Sequence, residues 1–414
     1  MRLSLLKWKS LKEIPKDETA EGTILLIRAG FIEKVGAGIY DYLPFGLMVL
    51  NKISEIIREE MKKIGGQEIL MPSLHPLSYW EKTGRDKDFD ALFKLKSRFK
   101  NQYALGPTHE EIVVPLAKRY ISSYKDLPLY LFQIQTKFRD EPRPKAGILR
   151  AKEFLMKDLY SFHQDEKDLA NYYEKVKKTY LKIFKNLKIN VILTEASGGT
   201  FSKFSHEFQV PSKNGEDLIL YCPKCHFSRN KEIASNLTKC PNCGSNLEKI
   251  KSIEVANIFQ LKNKYSRPFN LIYKDKNGKE KEVLMGCYGI GISRILGTLA
   301  EIYHDDKGLI WPEIVSPYKY HLIFIQSSDS RINEKIKKSA EKIYNFLLKN
   351  NKEVVYDDRQ ISTGEKFMDA DLIGAPYRIV VSEKTLKQNS LEIKKRNSKS
   401  LTLLKLDKCA KLVS

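Results

Sequence analysis

Long apolar segments are missing from this 414-residue sequence: no run approaches the roughly 18 residues that a membrane-spanning helix needs. The opening segment MRLSLLKWKS places lysines inside a short apolar stretch, so it lacks the uninterrupted core of a signal peptide. Acidic Glu13, Asp17 and Glu18 follow, which argues against an organellar transit peptide. We therefore expect a cytoplasmic protein with no membrane partner.

Several motifs for phosphate and metal binding are also absent. The sequence has no GxxxxGK[ST] loop, which excludes P-loop phosphate binding, and it has no HExxH pair. The segment GIGISR at 289–294 starts like a dinucleotide fingerprint but ends in Arg294, where that fingerprint needs glycine or alanine. There is no internal repeat and no low-complexity segment.

What is present is a globular composition with a large positive excess. Hydrophobic residues make up 42% and charged residues 30%, and the length predicts two or three domains. Lysine and arginine number 72 against 51 acidic residues, which gives a net charge of +21. One interpretation is a polyanionic partner, nucleic acid first; the other is a lysine-rich compositional bias. Because the excess is spread out, any nucleic acid would lie across the whole molecule.

Apolar spacing predicts the main elements before residue 317. Steps of three and four in 46–64 indicate an amphipathic helix, and QEILMPSL is then expected to be a strand. Residues 129–141 alternate as a second strand, and FLMKDLYSF is its returning partner. A helix is expected at 166–189. Residues 283–303 are expected to form a strand that turns through glycines into a helix.

Residues 317–414 have a different pattern. HLIFIQ, EVVYD and YRIVV are short strands of the buried type, and a helical stretch at 332–350 separates the first two. Alternating strands and helices predict a compact α/β unit. Ser316-Pro317 is the expected boundary.

The cysteines favour a metal site over disulfides. CPKC and CPNC lie within 22 residues and enclose fourteen, which is typical of four-cysteine zinc sites. Four thiolates leave no coordination position open, so we expect a structural zinc site formed by Cys222, Cys225, Cys240 and Cys243. The alternative is a remnant that no longer holds metal. This pattern also favours a reducing compartment.

A second cluster follows the strand at 129–141. Arg139 and Glu141 come at its end, Arg150 and Phe154 follow the next loop, and Arg294 follows a glycine-rich turn. Arginines held on strands suit nucleotide phosphates through forked hydrogen bonds. Taken alone, surface salt bridges and a core phenylalanine explain these residues equally well.

The order of these segments resembles motifs 1, 2 and 3 of the class II aminoacyl-tRNA synthetases. Longer segments resemble the bacterial-type prolyl-tRNA synthetases, in order from about residue 1 to 405 with an interruption near 218–252. They are RAGFIEKVGAGIYDYLPFGLMVL, LGPTHEE, QIQTKFRDEPRP, EFLMKDLYSFH, SHEFQV, MGCYGIGISR, GLIWP and DDRQISTGEKFMDADLIGAPYRIVV.

The resemblance implies an α+β fold in three parts. These are a class II antiparallel-sheet catalytic core (1–217 and 253–316), a small zinc-ribbon-like insertion (218–252) and an α/β anticodon-binding domain (317–414). It also implies ATP with Mg²⁺, L-proline and tRNA(Pro) as ligands, a homodimer formed through motif 1, and no DNA partner.

The resemblance also implies site residues, position by position. Those for proline are Thr108, Glu110, Arg139, Phe204, His206 and Cys287. Those for ATP are Arg139, Glu141, Arg150, Phe154, Gln260 and Arg294. Arg139 and Arg294 are the catalytic pair, on the α- and γ-phosphates, and Phe154 stacks under adenine. Glu110 suits the positively charged secondary amine of proline. Cys287 is expected to be a small apolar wall near the proline ring rather than a nucleophile. Its alternative role is that of a buried structural cysteine.

Other positions carry narrower expectations. Arg143 is the expected contact of the tRNA acceptor end. Near Gln260, Ala256 and Lys262 stand where the family usually has glycine, so the resemblance does not imply the family's backbone conformation there. In the tail, Arg359 and Lys366 are expected RNA contacts, because unstacked anticodon bases are read by cations and planar groups. The alternative is that the same two residues stabilise the domain.

The insertion between motifs 2 and 3 is short. Only about 35 residues separate NGED from IEVANIF, too few for the editing domain that bacterial-type members commonly carry there. A pocket rejects a smaller apolar substrate by only ~1–3 kcal/mol per lost methylene. We therefore expect some alanyl-tRNA(Pro) to form without cis editing.

Other functions stay open. Another class IIa specificity, such as threonine, is opposed by GPTHEE together with SHEFQV. A non-catalytic RNA-binding or regulatory relative would be expected to lose the motif arginines or the tail, and both are present. Loss of the large insertion is also typical of organellar relatives, so a nuclear-encoded organellar enzyme is a further alternative.

Overall fold

The computed structural model describes residues 1–15, 18–142, 146–234 and 236–412. It divides into two compact units, one formed by Met1–Glu33, Asp41–Lys52 and Leu299–Ser414, the other by Lys34–Tyr40 and Ile53–Thr298. This division groups segments before residue 317 with the tail, so it differs from the three-part organisation expected above, which stays a prediction.

The helices and strands have the following bounds. The helices are α1 Glu21–Arg28, α2 Pro44–Lys63, α3 Leu77–Thr83, α4 Arg85–Asp88, α5 Glu110–Ala117, α6 Glu166–Asn186, α7 Ile292–Ile302, α8 Ser330–Lys349, α9 Thr363–Ile373 and α10 Glu383–Lys387. The first strands are β1 Ile32–Gly36, β2 Ile39–Tyr42, β3 Gln67–Glu68, β4 Leu74–Pro76, β5 Lys94–Lys96, β6 Gln102–Leu105, β7 Leu129–Phe138, β8 Glu153–His163, β9 Ile192–Ser197, β10 Phe204–Pro211, β11 Asp217–Tyr221 and β12 Ser228–Asn230. The remaining strands are β13 Glu248–Lys262, β14 Ile272–Lys274, β15 Glu280–Glu282, β16 Leu284–Gly291, β17 His304–Asp305, β18 Gly308–Leu309, β19 Tyr320–Phe324, β20 Val354–Asp357, β21 Tyr377–Val381, β22 Ser390–Lys395 and β23 Leu401–Lys405.

The larger unit is built on a nine-stranded sheet in the order β10-β9-β12-β11-β13-β16-β8-β7-β3. Strands β7 and β8 pair antiparallel from Leu129↔Phe162 to Phe138↔Glu153, as their alternating patterns predict. Strand β10 also pairs with β13, so β10, β9, β12, β11 and β13 form a closed ring. Apolar side chains such as Leu131, Tyr160 and Met285 form the buried core beside the candidate site.

The smaller unit carries a five-stranded sheet in the order β20-β19-β21-β22-β23. Its first three strands run parallel and the others antiparallel. Helix α8 begins where the side chain of Asp329 accepts hydrogen bonds from two backbone amides, and it buries Ile336, Ala340 and Ile343 against the sheet. The α/β pattern expected for the tail is confirmed.

The prediction of a continuous strand over QEILMPSL is wrong for the middle of the segment. Only Gln67–Glu68 and the residues from Leu74 onward are strands. Pro72 has no backbone N–H to donate, and the amide of Met71 bonds instead to the side chain of Gln133 at 2.9 Å. The other elements agree with expectation within a few residues. None of the helices in the described ranges has both the length and the apolar character that a bilayer crossing requires.

Candidate active site

Three adjacent antiparallel strands, β8, β16 and β13, form the floor of the candidate active site, and Arg139 follows the end of the next strand, β7. A cavity of about 270 Å³ lies over them. Since alternate residues of a strand face one side, Phe154, Met156 and Asp158 of β8 line it together. The cavity brings together the following predicted residues: Thr108, Arg139, Glu141, Arg150, Phe154, Cys287 and Arg294.

Arg139 and Arg294 supply the positive charge of this cavity. The guanidinium of Arg139 lies over the ring of Phe154, 5.2 Å from its centroid, and its buried Nε has no hydrogen-bond partner among the described residues. Arg294 is held by the carbonyls of Leu149 (2.8 Å) and Glu254 (2.7 Å). Burial, and then the nearby Arg294, lower the pKa of Arg139. An anionic ligand would relieve both costs.

Carboxylates flank these arginines. Glu254 was missed by the sequence reasoning, yet it lines the cavity and its Oε2 lies 3.5 Å from Nη1 of Arg294. Burial raises the pKa of Glu254, and the two arginines oppose that shift. Its only sequence signal is an acidic residue inside the apolar segment IEVANIF. Arg150 is tied to Glu141 at 2.7 Å and to Glu216 at 2.9 Å, so a nucleotide that used Arg150 would compete with both carboxylates.

A buried carboxylate lies beside the cavity, next to the lining residue Thr108. The hydroxyl of Thr108, which lines the cavity, donates 2.5 Å to Oε2 of Glu110, which is fully buried. Oε1 of Glu110 has no hydrogen-bond partner within the described ranges. A buried, half-satisfied carboxylate favours a positively charged donor.

Arg85 is a second residue that the sequence reasoning missed. It is 2% exposed, and its Nη1 lies 3.0 Å from Glu111 and 3.4 Å from Glu110. Its guanidinium also contacts four aromatic rings, 4.7 to 5.3 Å from their centroids: those of Trp80, Phe89, Phe201 and Tyr265. Arg85 lies in TGRDKD without a distinguishing pattern, so only the tertiary contacts reveal it.

Cys287 forms part of the cavity wall. It is 5% exposed on β16, opposite Phe259 of β13. Burial, with the neighbouring Glu110, raises the pKa of its thiol well above the usual range. A neutral thiol suits the expected role as a small wall and not that of a nucleophile.

Three predicted residues lie in a neighbouring cavity instead. His206, Phe204 and Gln260 line a space of about 700 Å³ that shares Phe201 with the first cavity. Phe259 faces the first cavity, so Gln260, the next residue of the strand, points to the other side. His206 bonds through Nδ1 to the hydroxyl of Tyr173 at 2.7 Å, and Phe204 is 61% exposed.

The backbone beside Gln260 is irregular, as the two replaced glycines suggested. The pairing of β13 with β16 shifts between Gln260 and Lys262. Lys262 has a φ of 52°, a left-handed conformation that glycine adopts at less cost. Ala256 keeps its regular pairing with Ile290.

The expected RNA contacts have mixed outcomes. Arg143 lies outside the described residues. Lys366 is 1% exposed and donates to the carbonyls of Phe324 (3.2 Å) and Asp357 (3.3 Å). Arg359 pairs with both Asp357 (2.6 Å) and Asp369 (2.8 Å). These contacts favour the alternative that Lys366 and Arg359 stabilise their domain.

The four ribbon cysteines converge. Cys222 lies 3.5 Å from Cys243, and Cys225 lies 3.4 Å from Cys240, sulfur to sulfur. All four sulfurs are within 4.8 Å of one another. This all-thiolate donor set at tetrahedral spacing fits a closed zinc site.

Comparisons with known proteins agree with this geometry. The family described as tRNA synthetase class II core domain (G, H, P, S and T) matches residues 93–303, and the anticodon binding domain family matches residues 321–414. A proline–tRNA ligase from a Wolbachia species of Drosophila simulans is 40% identical over 411 residues, covering 96% of this chain and 95% of its own. That of Ehrlichia ruminantium is 38% identical over 422 residues, covering 98% and 97%.

Two further proteins add information. The proline–tRNA ligase of Aquifex aeolicus is 33% identical over 540 residues, covering 94% of each chain. That alignment is longer than this whole chain, so many of its positions have no counterpart here. The solved structure of Giardia lamblia prolyl-tRNA synthetase in complex with prolyl-adenylate has a TM-score of 0.78 at 20% identity, covering 94% of this chain and 75% of its own, and shows the shared fold.

The α+β class II fold and the resemblance drawn from the sequence are therefore confirmed, and the chain belongs to the proline–tRNA ligases.

Proposed function

We propose that this chain activates L-proline with ATP and transfers it to the 3′ end of tRNA(Pro). The observation that carries this proposal is a cavity lined by Arg139, whose buried Nε has no hydrogen-bond partner among the described residues, and by Thr108, whose hydroxyl bonds to Glu110. Glu110 is a buried carboxylate, and its other oxygen has no partner in the described ranges either. A zwitterionic amino acid presents an ammonium and a carboxylate, so it complements both the carboxylate and the guanidinium.

The residues act by position and charge. A carboxylate oxygen of proline attacks the α-phosphorus of ATP, and the bond from that phosphorus to the β-bridging oxygen breaks, releasing pyrophosphate. Arg139 and Arg294 stabilise the charge that develops on the phosphates. A ribose hydroxyl of the tRNA then attacks the adenylate carbonyl carbon, AMP leaves, and the hydroxyl proton passes to the departing phosphate or to water. Holding the reactants in line supplies much of the rate.

Glu141 and Glu254 are the carboxylates that would hold Mg²⁺, which prefers oxygen ligands. When bound, the ion neutralises charge on the triphosphate. Phe154 is the proposed stacking surface for adenine, and Arg150 a phosphate contact. His206, Phe204 and Gln260 are proposed to act from the neighbouring cavity, and Arg143 at the tRNA acceptor end.

The ribbon cysteines are proposed to hold one structural zinc ion. Metal analysis of the purified wild-type protein should give about one zinc per chain. The double variant Cys225→Ser/Cys240→Ser should contain none. The matched control is Cys409→Ser, which changes a cysteine of the other unit. Equal zinc content in all three proteins would contradict the site.

We further propose that the enzyme is a cytoplasmic homodimer and does not hydrolyse alanyl-tRNA(Pro). The short insertion, and the unmatched positions in the Aquifex aeolicus alignment, support the absence of cis editing. Purified enzyme should leave alanyl-tRNA(Pro) intact while it charges proline. Rapid deacylation would contradict this.

The test of the main proposal is ATP–pyrophosphate exchange with each of the twenty amino acids. A strong signal with proline and a weak one with alanine is expected. A dominant threonine signal would favour another class IIa specificity. Silence with all twenty, from folded protein loaded with metal, would favour a non-catalytic tRNA-binding protein.

A further inference from the structure

Residues 228–233 of the zinc-ribbon-like insertion, here called the ribbon arm, pair with β9, the strand that leads into the lining of the cavity. Strand β12 of this arm pairs with β11 on one side and, through Arg229↔Glu195, with β9 on the other. It therefore links β11 to β9 within the five-stranded ring. Two side-chain contacts reinforce the junction with β9: Arg229 donates to Glu195 at 2.5 Å, and the hydroxyls of Ser228 and Thr194 lie 2.8 Å apart and buried.

Strand β9 continues directly into a glycine loop, residues 197–202. Ser197 through Phe201 line the cavity that holds Thr108, Arg139 and Cys287. Phe201 packs on Phe259, 4.8 Å between ring centroids, and on the guanidinium of Arg85. The position of this loop therefore decides the shape of the cavity at the Cys287 end.

The ribbon arm contacts the start of this loop directly and a second lining residue of the cavity, Asn257, through Glu207. The amide of Ser197 donates to Oε1 of Glu232 at 3.1 Å. Nδ2 of Asn230 donates to the buried carboxylate of Glu207 at 3.3 Å. That carboxylate also accepts from Nε2 of Gln209 at 2.9 Å and from Nδ2 of Asn257, which lines the cavity, at 3.3 Å.

Asn230 takes part both in the contacts to the glycine loop and in those to Glu207. Its Oδ1 accepts the amide of Glu232 at 3.2 Å, which caps the short turn carrying Glu232, while its Nδ2 binds Glu207. Asn230 and Glu207 are 9% and 8% exposed, so water competes little for these bonds. A change at Asn230 therefore reaches the glycine loop and Asn257 together.

We propose that Asn230 and Glu232 are positioning residues for proline activation: through them the ribbon arm sets the glycine loop 197–202 and the Asn257 wall around the substrate. Neither residue contacts the reacting atoms. The inference rests on the proposed function, since the reaction it tunes is proline activation. It gives the short insertion a role in the catalytic core.

Asn230→Asp is the sharpest test because it keeps the shape and the cap but turns the donor facing Glu207 into an acceptor. We expect KM for proline in pyrophosphate exchange to rise about tenfold with kcat within about twofold, since misplacing a substrate wall weakens binding.

Exposed Glu232 provides a second test that leaves the interior intact. Glu232→Ala should raise KM for proline about threefold, and Glu232→Gln, which keeps an acceptor, should not. The control is Glu248→Gln, an exposed glutamate of the same insertion at the start of β13. Unchanged KM in both Asn230→Asp and Glu232→Ala, from protein that exchanges pyrophosphate normally, would overturn the inference.

Hydrogen exchange separates this inference from the proposed function. The amides of Phe201 and Ser202 bond to the carbonyl of Gly198 at 2.9 and 3.2 Å. They should exchange faster in Asn230→Asp than in Glu248→Gln, whichever amino acid the enzyme activates. Equal exchange in the two variants would contradict the link between ribbon and loop.

Discussion

The hydroxyl of Thr108 donates a 2.5 Å hydrogen bond to one oxygen of Glu110, and the other oxygen of that carboxylate has no hydrogen-bond partner in the part of the chain that the structure describes. Thr108 orients Glu110 and leaves one acceptor open. Leaving a buried charged group half-satisfied costs free energy, which a bound ammonium can recover.

Glu110→Gln should raise KM for proline by about 10- to 100-fold, because a charge-assisted hydrogen bond of about 1.5–3 kcal/mol becomes a neutral one. KM for ATP should change little. Pyrophosphate exchange at varied proline and ATP concentrations measures both. Thr108→Ser keeps the hydroxyl and is the matched control; an unchanged KM for proline in Glu110→Gln would contradict the assignment.

Arg294→Ala should abolish proline-dependent pyrophosphate exchange while tRNA affinity stays within a few-fold of wild type. Arg294 is anchored by the carbonyls of Leu149 and Glu254, so its guanidinium has a defined position on the cavity wall. The comparison is Arg267→Ala, an arginine paired with Glu282 at the surface. Activity that survived in Arg294→Ala would show that the cavity does not use this charge.

Arg85→Met should destabilise the protein by about 3–5 kcal/mol, because it leaves Glu110 and Glu111 buried without their counter-charge. Urea unfolding followed by fluorescence measures the loss. Arg267→Met removes an exposed pair with Glu282 and should cost less than about 1 kcal/mol. Similar losses in the two variants would contradict a special role for the buried cation.

Asp305→Asn should make stability depend less on pH. Arg396 contacts both oxygens of Asp305, at 2.6 and 2.8 Å, and lowers the pKa of that carboxyl to about 2. An acid with a lowered folded pKa stabilises the protein above its unfolded pKa and loses that contribution as pH falls through the folded pKa. Because Asp305 is partly exposed, we expect the wild-type protein to be about 1 kcal/mol more stable than Asp305→Asn between pH 5 and 8. This difference in the free energy of unfolding should shrink between about pH 4 and 2. Denaturant titrations of both proteins across this range measure it; a difference that grew on acidification would contradict the sign.

Much of the fold could be read from the sequence. Periodic apolar spacing located α2, α6 and α8 and the pair β7–β8, since burying one face of a helix or strand requires that spacing. The strand expected across Met71 and Pro72 failed because the backbone amide there finds a side-chain partner.

The sequence by itself determined which chemistry is available: the order of the motifs, the two cysteine pairs, and the arginines and carboxylates of the site. These are local patterns, and each has a spacing that identifies it. Only the tertiary structure decided which side chains face one cavity. Strand alternation and a shifted register turn Gln260 away from the first cavity, burial commits Lys366 to two carbonyls, and long-range packing surrounds Arg85 with four aromatic rings. Burial and the positions of charges depend on contacts between residues far apart in the chain, which is why no local pattern contains them.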